Sequence, residues 1–352
     1  MLCDKRKQDG MKPRDIFKMM SDGKRPPVIP FVPTIFEHSA KVIGKTPSEI
    51  AVDEDLLVES QLACYELYKH DLISIGVDIY NVEYEAMGAK VTFPENEELP
   101  SISETMVSSP EDIEKLRVPE PEKDGRMPMF LNAVERVSEK VGSEVIVNGT
   151  VVGPFTLASI MRGFENFIMD LVMEPEFAFR LMEFANKVSM SFAESFIKRG
   201  VGLSINESWI APPLLSPAFY SDYVVEYERK LIQYIKGLGQ ENVALISGGN
   251  TTDIVGDMIS TGTSLLLADS ECDLDLYKKI CSEHGILMRA SIASGIVEDG
   301  NETEMKKAAY DVIDKCIDYE KFIFGCGIVS YDTKPESVVK LKEYVREYGR
   351  DI

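Results

Sequence analysis

The chain has 352 residues, 59 acidic against 38 basic side chains, and a formal charge of -21. That balance repels a phosphate backbone, which needs clustered Lys and Arg, so nucleic acid is excluded as a partner. With 44% hydrophobic and 28% charged residues the composition is that of a soluble globular protein long enough to bury a large core.

The N-terminal stretch MLCDKRKQDGMKPRD has no apolar core of signal-peptide length. No later run reaches the roughly 18 apolar residues of a membrane span, so neither export nor insertion is expected. Six cysteines, Cys3, Cys64, Cys272, Cys281, Cys316 and Cys326, stand far apart without CxxC pairs, which fits a reducing cytoplasm.

Eight short apolar runs follow one another: PVIPFVP near 27, LISIGVDI near 72, VIVNGTVV near 145, GLSINES near 202, NVALIS near 242, SLLLAD near 264, ILMRAS near 286 and KFIFGC near 321. They are nearly continuous in apolar character, as parallel strands covered on both faces are. Segments of helical period lie between them, and Thr46-Pro47 and Ser216-Pro217 read as cap followed by first-turn proline. Gly44, Gly237 and Gly239 stand where helices should stop. Eight alternating units, without a GxGxxG turn, predict one (β/α)₈ TIM barrel over residues 1–352. The polar, proline-bearing stretch 81–126 is too long for an ordinary connection and predicts an excursion after strand 2, with a short hairpin, over one mouth.

In such a barrel the chemistry sits at the C-terminal strand ends. The polar residues there are Glu37 and His38, then Asp78, Tyr80, Glu83 and Glu85, then Asn148 and Thr150, then Asn206, Glu207 and Trp209, then Ser247 and Asn250, then Asp269, Arg289, Ser291 and Cys326. Of three histidines, His70 and His284 end helices, where a cation suits the carbonyl dipoles. His38 is a candidate acid, base or metal ligand, or a structural group. Trp209, the sole tryptophan, can stack on a flat ligand or seal its proline-stiffened loop. Glu207 beside it is a carboxylate whose pKa a water-poor cavity would raise toward acid-catalyst range. The segment GPFTLASIMRG, 153–163, opens a helix whose free N–H groups can cap themselves or take an anion.

LISIGVDIYNVEYEAMGAKV, VVGPFTLASIMRG, LLSPAFYSDYVVEYERKLIQYIK, GGNTTDIV and FIFGCGIVSYDTKPESVVKLKEYV together resemble, in their order, the uroporphyrinogen decarboxylase superfamily, more closely its corrinoid-linked methyltransferase branch. The resemblance spans nearly the whole chain. It implies a TIM barrel with a funnel at the C-terminal mouth, often dimeric, that decarboxylates porphyrinogen acetates or moves a methyl group to or from cobalt in a separate corrinoid protein. The decarboxylases hold their acid groups with arginines in a segment that here reads PFVPTIFEHSAKVIG, which has none, although Asp78 matches the family aspartate. Thiol-activating methyltransferases hold zinc by His-x-Cys after the fifth strand and Cys at the eighth. Here Ile246-Ser247-Gly248 stand in the first place and only Cys326 matches.

Three readings follow. The first is a substrate-specific methyltransferase taking a methyl group from a small O- or N-methylated donor, such as a methoxyaromatic, and passing it to a corrinoid partner. Glu207, His38 and Asp78 are then catalytic; Trp209, Tyr80, Asn148, Asn250, Ser247 and Asp269 bind substrate; Cys326 and Glu83 are the candidate ligands should zinc be bound. The second is a decarboxylase, for which the mouth offers only Arg162 and Arg289 as a clamp. The third is a non-catalytic ligand-binding barrel.

Overall fold

The computed structural model describes residues 11–348. The strands are β1 (Phe31–Thr34), β2 (Leu72–Ser74), β3 (Val91–Thr92), β4 (Ser101–Ile102), β5 (Ile146–Val152), β6 (Gly202–Asn206), β7 (Val243–Ile246), β8 (Leu265–Ala268), β9 (Leu287–Ile292) and β10 (Phe322–Ile328). All but β3 and β4 form one parallel sheet in the order β1-β10-β9-β8-β7-β6-β5-β2, with helices between successive strands. This is the expected α/β TIM-barrel architecture, and each of the eight apolar runs holds one of its strands. The continuous apolar character arises because one face of each strand packs on helices while the other faces the lumen.

The sheet is a ladder from β1 round to β2, and the remaining seam closes through one carboxylate. Asp71, just before β2, donates its N–H to the Phe31 carbonyl (2.9 Å) and accepts the Phe31 N–H on Oδ2 (2.6 Å). The same Oδ2 accepts from Arg346 (2.7 Å) on the last helix, Pro335–Tyr348, whose guanidinium also bonds the Ile29 carbonyl. One acid thus stands in for the missing ladder and pins the C-terminal helix across it.

Period-two alternation decides what enters the lumen. Its lower layer is Val32, Leu72, Ile146, Leu265, Leu287 and Ile323, stoppered by Ile16, Phe17 and Met20 of helix Pro13–Ser21. Above it the inward residues turn small or polar: Thr34, Ser74, Asn148, Ser204 and Ala244. A barrel interior filled with branched side chains would be solid; this one is hollow toward its C-terminal end.

The excursion after β2 carries the expected hairpin, β3 antiparallel to β4. Its two ends are tied by a buried pair, Arg126 Nη1 and Nη2 donating to the two oxygens of Asp78 at 2.8 and 2.7 Å. Arg126 also bonds Glu85 and the Ala51 carbonyl and lies over the Phe93 ring. Asp78, expected to act on substrate, is instead the anchor of this insertion.

The helical boundaries follow their signals. Thr46 and Glu49 form a reciprocal capping box at Pro47–Val52, and Ser216 accepts from the Phe219 N–H. His284 lies in the last turn of its helix as expected, but His70 does not serve the helix dipole. It is buried edge-on against Tyr65, and burial lowers its pKa to about 3, so it is neutral. The described cysteines are all free and buried, and Cys3 lies outside the described residues. No helix among the described residues is long and apolar enough to cross a membrane.

Asp71→Ala should open the β1–β2 seam and strand Arg346. Loss of one partner of a mostly buried pair should lower the unfolding free energy by roughly 3 kcal/mol, read from urea denaturation. A change below about 1 kcal/mol, the size of a surface pair, would show that the seam closes without it.

Candidate functional site

At the C-terminal mouth the hollow widens into a cavity of about 330 Å³, within the range that takes a small molecule. Thr34 of β1, Tyr80 after β2, Asn206 and Ser208 at the end of β6, Ile246 and Gly248 at β7, Leu267 and Asp269 at β8, and Arg289 of β9 contribute to its wall. A narrower chamber beneath it shares Thr34, Phe36, Asn206, Ile246 and Arg289, and adds Ser74, Asn148 and Ser204. The two share a wall and form one funnel, mostly apolar in lining throughout, with Tyr80, Ser208, Asp269 and Arg289 among the polar groups at the mouth.

Three of the expected binding residues meet here. Tyr80 hydrogen-bonds Ser208 through its hydroxyl, and burial raises its pKa, so it remains a proton donor. Asn148 lies in the lower chamber over Gly202, where any side chain would collide with its amide oxygen. Asp269 is held by backbone donors, Gly249 N–H on Oδ2 (2.9 Å) and Ser270 N–H on Oδ1 (2.8 Å).

The Gly-Gly turn after β7 therefore has two uses. Gly248 leaves space in the wall, while Gly249, at φ +81°, aims its N–H at Asp269. Asn250 is exposed and closes a local turn on the Thr252 N–H (3.2 Å), outside the cavity. Ser247 is wholly buried beside the turn and does not line it.

Glu207 faces away from the funnel. Its oxygens accept the N–H groups of Phe155 (3.2 Å) and Thr156 (2.6 Å), the first turn of helix Pro154–Arg162. A side chain at Gly153 would overlap that carboxylate. The anion expected at this helix start is thus the chain's own glutamate. Burial pushes its pKa up to about 7 against the pull of those bonds, and its presence helps hold Glu228 well above the carboxylate range, after burial itself. Glu228 keeps the proton and takes the Tyr220 hydroxyl at 2.6 Å.

His38 is also absent from the wall. Its Nδ1–H donates to the Ser330 carbonyl (3.1 Å) and its Nε2 accepts the Tyr68 hydroxyl (2.7 Å), and burial lowers its pKa to about 4. It is a neutral strut between helix Glu54–Tyr68 and the loop after β10. Trp209 is half-buried, edge-on to Phe164 with ring centres 5.6 Å apart, and seals its loop.

The metal donors do not assemble. Among the described residues no three His, Cys, Asp or Glu side chains gather at one point. Glu83 is buried with Oε1 on the Val152 N–H (2.8 Å), and Cys326 is a buried thiol, pushed up to about 12, whose charged neighbours are Arg289 and Asp269. With Ile246-Ser247-Gly248 in place of His-x-Cys, the residues present do not fit zinc.

Ser208, Ser204 and Thr34 were not among the expected binders. The signal was available: in GLSINES the alternation that turns Ser204 inward also turns Asn206 and Ser208 inward, and sends Glu207 the other way.

Residues 12–348 match the family described as uroporphyrinogen decarboxylase (URO-D). The methylcobamide:CoM methyltransferase MtbA of Methanosarcina acetivorans is 25% identical over 325 residues, 92% of this chain and 94% of that protein. The uroporphyrinogen decarboxylase of Geobacter metallireducens is 27% identical over 205 residues, 56% of this chain and 57% of that protein. In fold, a methyltransferase from Methanosarcina mazei superposes with a TM-score of 0.85 at 20% identity, over 96% of this chain and 99% of that one.

Two measurements test this description. Burial raises Glu83 from 4.5 to about 8, so the folded chain keeps a proton that the unfolded chain releases above pH 4.5. Its contribution to stability therefore falls as pH rises from 4.5 to 8, and Glu83→Gln should flatten that decline in denaturation curves; an unchanged slope would place the proton elsewhere. Elemental analysis should find well under one zinc per chain, equally in wild type and Cys326→Ala. Stoichiometric zinc lost in the variant would mean that the donors rearrange.

Proposed function

Because the chain belongs to the uroporphyrinogen decarboxylase family, we propose that it works there as a corrinoid-linked methyltransferase, moving a methyl group between a small methylated donor and the cobalt of a partner protein. The observation that carries this is the funnel: a chamber of small-molecule size with a few polar groups set in a mostly apolar wall and an open mouth. A donor seated within it presents its methyl group outward, and the only approach left to a large partner is over the rim. Relatives that align over 92% of this chain, at 24–25% identity, are methylcobamide:CoM methyltransferases by name, which supports a methyl-transfer reading.

The corrinoid supplies the nucleophile, so the barrel has to hold the donor and assist the departing heteroatom. Fixing the reacting groups in line can account for about 7–11 kcal/mol of a barrier. Tyr80, protonated and steadied by Ser208, is a group on the wall that can donate to a departing oxygen. Asp269 and Asn148 orient the donor, and the apolar floor keeps water from competing. A methoxyaromatic fits this description, being flat, uncharged at the reacting end and of suitable size. The buried free thiols support a cytoplasmic setting for a single-domain enzyme.

Two observations count against a porphyrinogen decarboxylase. Asp78 is spent on Arg126, and the cavity wall carries one guanidinium where several acid arms would need partners. The missing zinc donors likewise count against activation of a thiol acceptor.

The test mixes the purified chain, a reduced Co(I) corrinoid protein and methoxylated benzoates, following the corrinoid absorbance and the demethylated product. Methylation of cobalt is expected, with kcat/KM reduced about 10²-fold in Tyr80→Phe. Carbon dioxide release without methyl transfer would overturn the proposal.

A further inference from the structure

The wall of the funnel contains an arginine that makes no ion pair among the described residues. Arg126, Arg162, Arg199 and Arg346 each end on a carboxylate. Arg289 does not. It is 9% exposed, its Nε is enclosed without an acceptor, and no ion pair or hydrogen bond reaches its guanidinium among the described residues. Its stem passes Gly325, where a Cβ would stand 2.7 Å from Ser291 Oγ and 3.1 Å from Arg289 Cγ and Cδ, so the glycine leaves room for both side chains.

The guanidinium borders both the lower chamber and the mouth, and so does Asn206, 6% exposed, whose Nδ2 is also buried without an acceptor. Asp269, the acid on the cavity wall, is held by the Gly249 and Ser270 N–H groups; its charge acts on Arg289 at a distance, but none of its oxygens comes within ion-pair reach of the guanidinium. Leaving a buried cation and a buried amide donor unpaired is costly unless a ligand completes them. An ether oxygen or a neutral amine accepts one such bond and an aromatic ring offers only its face, and none of them neutralises the charge; a planar fork of N–H donors matches the paired oxygens of an oxyanion.

We propose that Arg289 and Asn206 hold the anionic head of the small-molecule substrate, a compact oxyanion of the carboxylate or sulfonate kind, inside the barrel between β9 and β6. The direction of the rest of the molecule, methylated end toward the mouth, rests on the methyl-transfer reading; the oxyanion site does not. Arg289 is then a substrate anchor in a cavity that is otherwise neutral or acidic, and selects against cationic donors.

The probes are acetate, methanesulfonate and inorganic phosphate, titrated calorimetrically into the full chain at constant ionic strength with chloride as the reference. Wild type should bind at one saturable site, and the tightest of the three identifies the head group. Arg289→Met and Asn206→Leu should each weaken that binding at least tenfold, with Arg289→Lys between. Without ligand, Arg289→Met should melt no lower than wild type, because it removes an unpaired charge. Absence of saturable binding to wild type, equal binding by Arg289→Met, or a steep fall in its melting temperature would overturn the proposal. Methyl transfer failing while anion binding persists would sink only the functional reading; transfer proceeding without anion binding would sink only this one.

Discussion

The mouth of the barrel depends on a glutamate that never touches its contents. Glu207 follows β6, gives its N–H to the Ile246 carbonyl of β7 (2.9 Å), and turns its carboxylate back onto the first turn of helix Pro154–Arg162. Three consecutive strand ends and a helix start are thereby locked together, and the residues on either side of it, Asn206 and Ser208, are held facing the cavity. An acid at the positive end of a helix is favoured by both the free N–H groups and the aligned peptide dipoles. Here that preference fixes the rim of a binding chamber.

The other ionisable groups behind the wall follow one rule: each is neutral or paired. Glu83 and Glu228 keep their protons, His38 and His70 go without, and Asp71 and Asp78 are matched to arginines. A chain carrying so many acids thus presents few bare charges to its own interior, as the cost of desolvation requires. Against that background Asp269 and Arg289 stand out because both line the cavity with no ion pair between them.

Much of the fold could be read before the structure, because an all-parallel barrel writes itself as repeated apolar runs with helices between. The hairpin at β3 and β4 and the capping box at Thr46 were equally legible from local chemistry. The site was legible only in part. Tyr80, Asn148 and Asp269 lie where strand-end logic puts them, whereas His38 and Trp209 have the chemistry of a site but the surroundings of a core. Asp78 is satisfied by Arg126, 48 residues further along, and no local pattern announces such a pairing. Glu207 was different: its neighbours alternate across a strand, so its outward direction was written in GLSINES.

The floor of the funnel is not made by the barrel alone. Phe17, from the helix that stoppers the lower end, contributes to the same chamber as Arg289 and Asn148. The depth available to a ligand is therefore set partly by a segment outside the strand framework and free of its register. The length of molecule the chamber accepts can change through that one helix, while the rim, and whatever docks on it, stays as it is.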